Sequence, residues 1–254
     1  MVTTFWMLFG LDNAIFNPNT RSVILAHKRE TNDMIWSAVR FAHAKMPDAL
    51  RPDLVEDSAK TLSFKDSGSK MMVSLKIQGG TVNNLHVSEY PLCDPRDIEQ
   101  TIAACPPSAN ITLEGVAEGV NHAYDKWKAT GDGYSRLFHP WFIQPEYRDQ
   151  EPAPESGWTQ EENKLAAYAL KEYGVALDGF QAAFRRRMKR ELKQTFAQEM
   201  ASDPITCFIS TGYPYFDGPK MNDLAGRAQQ SIARGEPFQD KDGRVCHEWE
   251  RWEE

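Results

Sequence analysis

Residues 79–90 read GGTVNNLHVSEY, and this stretch decides how the rest of the chain is organised. Gly79 and Gly80 loosen the backbone, and the run from Thr81 to Val87 reads as an extended segment. It delivers Ser88 and Glu89 to the C-terminal edge of a strand, where open α/β sheets place ligands. Upstream, Ser22 to Ala26 (SVILA) is a short β-branched run of the kind shown by a parallel strand buried on both faces. A helix follows over Thr31 to Met46, with apolar residues at Met34, Ile35, Ala38, Val39, Ala42 and Met46 and a stop at Pro47. Downstream, Asp94 and Pro95 form an N-cap and first-turn pair for a helix to about Ala104. Pro106 and Pro107 then break the chain, and Asn110 to Leu113 is the next strand. This alternation predicts an α/β chain with a parallel sheet.

The flanking segments extend the pattern. Between Thr3 and Ile15, apolar residues cover most of a helical wheel, which predicts a helix enclosed by other elements. Two alternating runs between Thr61 and Leu75 flank Lys65-Asp66-Ser67-Gly68, a hairpin expected at the periphery of the sheet. A helix is expected over Glu118 to Lys128 and a last strand over Tyr134 to Phe138. Residues 150–157 (QEPAPESG) are a proline-bearing acidic linker. Beyond it the chain reads as helical. Thr159 with Glu162 forms a capping box for a helix through Tyr173, Gly174 supplies the stop, and a second long helix is expected over Leu177 to Met200.

Composition narrows the function classes. The chain has 254 residues, of which 26% are charged, with a mean hydropathy of -0.56. No apolar run approaches the roughly 18 residues of a membrane span. Without a basic leader or a small-residue cleavage site, the start does not read as a signal peptide, and the cytosol is the expected compartment. Cys93, Cys105, Cys207 and Cys246 lie far apart with no Cys-x-x-Cys pair, so four free thiols are expected. Lys and Arg total 29 against 36 Asp and Glu, a net charge of -7. A field of that sign repels polyanions, so any nucleic-acid contact needs a local basic patch.

Four segments could carry chemistry. Glu89, at the exit of its strand, has the placement of a carboxylate that activates the water attacking a γ-phosphate, with Ser88 beside magnesium; the hexapeptide by itself reads more readily as a solvated strand end. Glu114, in Thr112-Leu113-Glu114-Gly115, is a second acid at a strand exit, suited to sensing a bound metal and nucleotide or simply facing water. Thr3 and Thr4 open a helix, as the tail of a phosphate loop does and as ordinary capping residues do. Arg185, Arg186, Arg187, Lys189 and Arg190 crowd one helix, either to grip phosphate backbones or as a solvated face. The six histidines show no ligand spacing.

In order along the chain, these pieces resemble the large subunit of tailed-phage terminases, an ATP-driven DNA-packaging motor with a C-terminal nuclease. Ser22 to His27 followed by a helix resembles its second ATPase strand, and Gly79 to Glu89 its Walker B region. Leu113-Glu114-Gly115 through Gly119 is similar to its coupling motif. Phe138-His139-Pro140-Trp141 and Pro145-Glu146-Tyr147-Arg148 resemble its Phe-x-Pro-Trp and Pro-Glu-Tyr segment. Phe184-Arg185-Arg186, Phe196 to Glu199, Ser210-Thr211-Gly212 and Tyr215-Phe216-Asp217 look like its helical linker.

The resemblance implies a P-loop NTPase-like sheet lacking its first strand over 1–148, then a helical linker subdomain over 149–254. It assigns Glu89 to water activation, Ser88 and Thr3 to the magnesium side, and Thr3, Thr4, Ser88 and Glu114 to the nucleotide. ATP and Mg are the implied cofactors. The implied partners are viral double-stranded DNA, a portal protein, a small terminase subunit and further copies in a ring, in the cytoplasm of a bacterial host. Some positions depart from the family. Met1 and Val2 stand at the end of the phosphate loop, Gln78 stands where relatives often carry arginine, and Gly115 and Val116 replace the coupling Ser-Thr. The last residues, 248–254, fall about where the first nuclease strand begins. The chain alone is therefore expected to lack ATPase and nuclease activity, and the absent strand is expected to lie centrally, leaving a marginally stable sheet. Two alternatives stand beside this expectation: half of a split terminase that assembles with a separate polypeptide, and a freestanding DNA-binding module.

Overall fold

The computed structural model describes residues 2–77 and 79–208, together with the backbone of two further strands, Ala233–Gln239 and Val245–Arg251. The chain divides into two units, 1–212 and 213–254. In the first, a six-stranded sheet is built from β1 (Arg21–Ala26), β2 (Leu54–Asp57), β3 (Thr61–Phe64), β4 (Lys70–Ser74), β5 (Asn84–Ser88) and β6 (Asn110–Glu114), in the order β2-β3-β4-β1-β5-β6. β4, β1, β5 and β6 run parallel; β2 and β3 are antiparallel additions. In the second unit, β7 (Ala233–Gln239) and β8 (Val245–Arg251) form an antiparallel pair.

Alternation along the strands sorts side chains to two faces. Val23, Leu25, Leu85 and Val87 pack with Val82 and with Ile98 of α3 (Pro95–Ile102). On the other face, Ile24, Ala26, Met71 and Val73 pack against α1 (Val2–Phe16) and α2 (Arg29–Ala44) through Met7, Leu11, Ala14, Ile35 and Val39. Under α1, however, β5 and β6 present a polar face: Asn84, His86 and Ser88 lie in register with Asn110, Thr112 and Glu114.

The helices α4 (His122–Lys128), α5 (Gln160–Tyr173), α6 (Gly179–Leu192) and α7 (Phe196–Glu199) follow. Trp141, Phe142, Ala169 of α5 and Phe184 of α6 form a core, and Gln181 Nε2 donates to the Phe142 carbonyl at 3.0 Å. The capping box forms as read, with Thr159 and Glu162 bonded reciprocally, and Gly174 closes α5 at φ +67°. Asp94 caps α3 by accepting from the Arg96 N–H.

Five expectations are corrected. The hairpin forms, with Gly68 at φ +65°, but it is not wholly peripheral: β4 pairs with β1 inside the sheet because its Met71 and Val73 belong to the core. Tyr134 to Phe138 is irregular. There the Arg136 guanidinium donates to the carbonyls of Lys126, Trp127 and Ala129 at the end of α4 and to Asp132, and these bonds take the place of a strand ladder. The long helix breaks at Lys193, where φ is +50°. Helix α1 is not enclosed among the described residues: Met7, Gly10, Leu11 and Ala14 are buried, while Phe5 is 61% and Leu8 44% exposed. Finally, among the described residues the sheet has no central gap: β4, β1, β5 and β6 pair without interruption, and β6 is an edge strand.

Candidate functional site

β5 and β6 end side by side, with Ser88 paired to Glu114 in a parallel ladder. The first turn of α1 reaches the same edge, where Thr3 Oγ1 donates to Glu114 Oε1 at 2.9 Å. His86, two residues before Ser88 and so on the same face of β5, places Nε2 3.1 Å from that same oxygen. His86 is 5% exposed and its Nδ1 has no partner among the described residues, so Nε2 is the ring nitrogen that meets Glu114. Burial pushes the Glu114 carboxyl up, but hydrogen bonds from His86, Ser88 and Thr3 outweigh it and hold Glu114 below the usual carboxylate range.

Glu89 follows the strand in a left-handed conformation, φ 55° and ψ 47°, which turns the chain sharply into a short 3-10 turn at Tyr90–Leu92. For a non-glycine residue this conformation costs roughly 1–2 kcal/mol. Burial and the nearby Glu114 raise the proton affinity of Glu89, against the Val116 backbone amide and His27, which lower it; Glu199 of α7 pushes it further up. Two carboxylates on neighbouring strands are thus driven apart in acidity, the arrangement that separates a base from a standing anion. The Cys93 thiol, beside both acids and buried, is pushed up to about 12.

Gly115 makes this packing possible. A Cβ there would lie 2.6 Å from Pro91 Cδ and 3.1 Å from Glu89 Cα, so the exit of β6 presses directly on the Glu89 turn. The position read from sequence as a departure from the coupling motif is a steric requirement of this fold.

The structure therefore brings together Thr3, Ser88, Glu89 and Glu114. Thr4 is exposed, and among the described residues its side chain makes no hydrogen bond. Gln78 lies outside the described residues, as do Ser210, Thr211, Gly212, Tyr215, Phe216 and Asp217. Sequence reasoning missed His86, His27 and Glu199. His86 was accessible through strand alternation, being two residues from Ser88, but a search for histidine ligand spacing passes over it. Among the described residues, no group of three or more His, Cys, Asp or Glu side chains is arranged to hold a metal ion.

The basic cluster lies elsewhere and is largely paired. Arg185, 8% exposed, and Lys189 both bond Glu161; Arg186 bonds Glu162 through two nitrogens; Arg187 bonds Asp149 at 2.8 Å. Of the five, Arg190 has no ion pair among the described residues. These side chains join α6 to α5 and to the segment before it, so they do not form a free cationic face.

No protein-family model matches the chain, and no curated protein matches it. Solved structures do. The large terminase of a thermophilic bacteriophage aligns with a TM-score of 0.36 and 10% identity over 46% of this chain, and the ADP complex of the same terminase with a TM-score of 0.35 and 14% identity over the same share. This chain spans 30% of the length of either. The ATPase domain of the Thermus phage P74-26 large terminase aligns with a TM-score of 0.44 and 11% identity over 80% of this chain and 83% of that one.

Proposed function

We propose that this chain is the ATPase-domain portion of a phage terminase large subunit, serving ATP-driven packaging of double-stranded DNA. The collinear order of the sequence motifs supports the reading. One observation carries it: Thr3, Ser88, Glu89 and Glu114, picked out in separate segments, converge on one edge of the parallel sheet. Glu89, with raised proton affinity, suits a base that takes the proton of an attacking water. Glu114, held ionised by three donors, suits a group that responds to the charge of a bound nucleotide. The hydroxyls of Thr3 and Ser88 and the adjacent carboxylates are hard oxygen donors, a set that fits Mg²⁺. Thr3 and Ser88 would hold the ion, which would neutralise phosphate charge.

Electrostatics favours a second element in this reading. Among the described residues, the acidic groups at the edge are Glu89, Glu114 and Glu199, with the imidazoles of His27 and His86 beside them. Triphosphate binding at so acidic an edge calls for cationic donors from elsewhere. The lone chain is therefore read as hydrolysing ATP negligibly and as completed by a separate polypeptide, as a split terminase would be. That no strand among the described residues pairs with the outer side of β6, the strand that carries Glu114, favours this assembly. A portal protein, a small subunit and a ring of copies are the partners such a motor would use. The DNA-binding-module reading loses its footing in the paired arginines of α6.

The test is phosphate release from Mg-ATP, measured for the purified chain alone and after mixing with polypeptides encoded by the flanking reading frames. The chain alone should be silent, and the mixture should show activity that Glu89→Gln abolishes. Activity of the lone chain would overturn the assembly reading; activity of the mixture that survives Glu89→Gln would overturn the catalytic one.

A further inference from the structure

Of the three non-glycine residues with positive φ among the described residues, Asn19, Glu89 and Lys193, Glu89 alone belongs to the site. Asparagine enters the left-handed region readily through short side-chain bonds to its own backbone; glutamate does not, so its surroundings must impose the conformation. The turn that follows does not impose it. The Leu92 and Cys93 N–H groups donate to the Glu89 and Tyr90 carbonyls at 2.9 and 3.1 Å, and these bonds constrain the dihedrals from Tyr90 onward. The angle at which the turn leaves β5 is set by φ and ψ of Glu89 itself. From inside the turn, Glu89 is bridged by the Cys93 thiol, a weak donor, 3.7 Å from the Ser88 carbonyl.

Stronger bonds reach the turn from the start of α4. Asn121 is the N-cap of that helix: its Oδ1 accepts from the Ala123 N–H at 2.9 Å and the Tyr124 N–H at 3.4 Å. With the oxygen so occupied, the amide nitrogen faces the other way and donates to the Pro91 carbonyl at 3.1 Å. His122 places Nε2 3.0 Å from the Tyr90 carbonyl, a group that can only accept, and its ring meets the Tyr90 ring edge-on with centroids 4.8 Å apart. Two successive carbonyls of the turn are thus held by two successive residues of another element. Gly115 completes the enclosure, because the β6 exit lies so near Glu89 Cα and the Tyr90 nitrogen that even a Cβ would crowd them. Capping alone does not call for an amide at position 121, since aspartate caps equally well. Donation to Pro91 does call for it, since an ionised aspartate has no donor.

We infer that Asn121 and His122 are positioning residues: by holding the Pro91 and Tyr90 carbonyls they fix the left-handed turn that sets where the Glu89 carboxylate stands relative to Ser88 and Glu114. The inference rests on the reading of Glu89 as the base and adds the residues that place it. A carboxylate takes a proton from an attacking water only from within hydrogen-bond reach of it, so this clamp serves the chemical step and not the binding of substrate.

The test separates the clamp from the cap. Asn121→Asp keeps the acceptor for Ala123 and Tyr124 and removes the donor to Pro91. His122→Phe keeps a ring against Tyr90 and removes the donor to its carbonyl. At φ 55° the amide and α hydrogens of Glu89 are nearly eclipsed, so the chain in solution should show a strong NOE between them. In the double variant that NOE should fall severalfold while the α4 resonances keep their helical shifts. In the mixture that releases phosphate from Mg-ATP, the double variant should lower kcat by about tenfold or more and leave KM nearly unchanged. Asn121→Ser, a cap without the amide donor, serves if the double variant does not fold, and should weaken the NOE in the same direction. A weak NOE in the parent, an NOE that these variants leave unchanged, or a loss confined to KM would each overturn the inference. The NOE needs neither nucleotide nor partner, so it reports on the clamp alone, whereas phosphate release that survives Glu89→Gln would overturn the reading of Glu89 as the base.

Discussion

The Thr3 hydroxyl donates to Glu114 at 2.9 Å, tying the first turn of α1 to the end of a strand 111 positions further along the chain. The same oxygen lies 3.1 Å from His86 Nε2, and Ser88 stands opposite Glu114 in the ladder, so α1, β5 and β6 are joined at a single oxygen-rich point. Everything proposed for the site depends on this junction. Thr3→Val keeps the branched shape and removes the donor; it should cost about 1 kcal/mol in urea denaturation. An unchanged midpoint would show that the junction contributes nothing to the fold.

Gly115 has a sterically closed environment, with Pro91, Glu89 and Tyr90 all against the position of a Cβ. Gly115→Ala should destabilise by about 1–3 kcal/mol, and Gly115→Ser, which restores a residue common in the coupling motif the segment resembles, should do no better. Equal stability of the serine variant and the parent would contradict the packing described.

Glu89 is an acid whose proton affinity is raised by folding. Such a group costs stability once pH exceeds its folded pKa, and the cost vanishes below the ordinary value of 4.5. Glu89→Gln should therefore melt at a higher temperature than the parent at pH 7 without divalent cation, with the gap closing as the pH falls below that value. A gap that widens on acidification would reverse the sign of the assignment.

Glu162 is the opposite case. It is 4% exposed and held at about 2 by the Arg186 guanidinium, which outweighs the effect of burial, with help from the Thr159 N–H. Its contribution is present above about pH 4.5 and is lost as the pH falls towards 2. Arg186→Ala should cost about 2 kcal/mol at neutral pH, because it strands a buried carboxylate, and the difference from the parent should shrink through that acid window. A pH-independent difference would assign Arg186 a packing role instead.

Much of the framework was legible because it rests on local rules. The parallel strands β1, β5 and β6 announce themselves in the runs Ser22 to Ala26, Thr81 to Val87 and Asn110 to Leu113, although β5 itself spans only Asn84–Ser88, and the caps at Asp94 and Thr159 by their side-chain chemistry. Tyr134 to Phe138 has strand-like composition too, yet Arg136 claims the free carbonyls of α4, a choice made by groups several residues away. The run of basic residues in α6 looked like a phosphate grip because its partners, Glu161, Glu162 and Asp149, lie in other elements.

By itself the sequence determined which residues stand at strand ends, since the period of a strand and the stop signals around it are written into neighbouring positions. It determined Ser88, Glu89 and Glu114 as edge residues and Thr3 as a first-turn residue. Only the tertiary structure decided that these share one edge, that His86 and Gly115 belong with them, and that β6 is the edge strand of the sheet among the described residues. Strand order and the acidity of a buried carboxylate depend on contacts between segments far apart in the chain, and no local spacing encodes them.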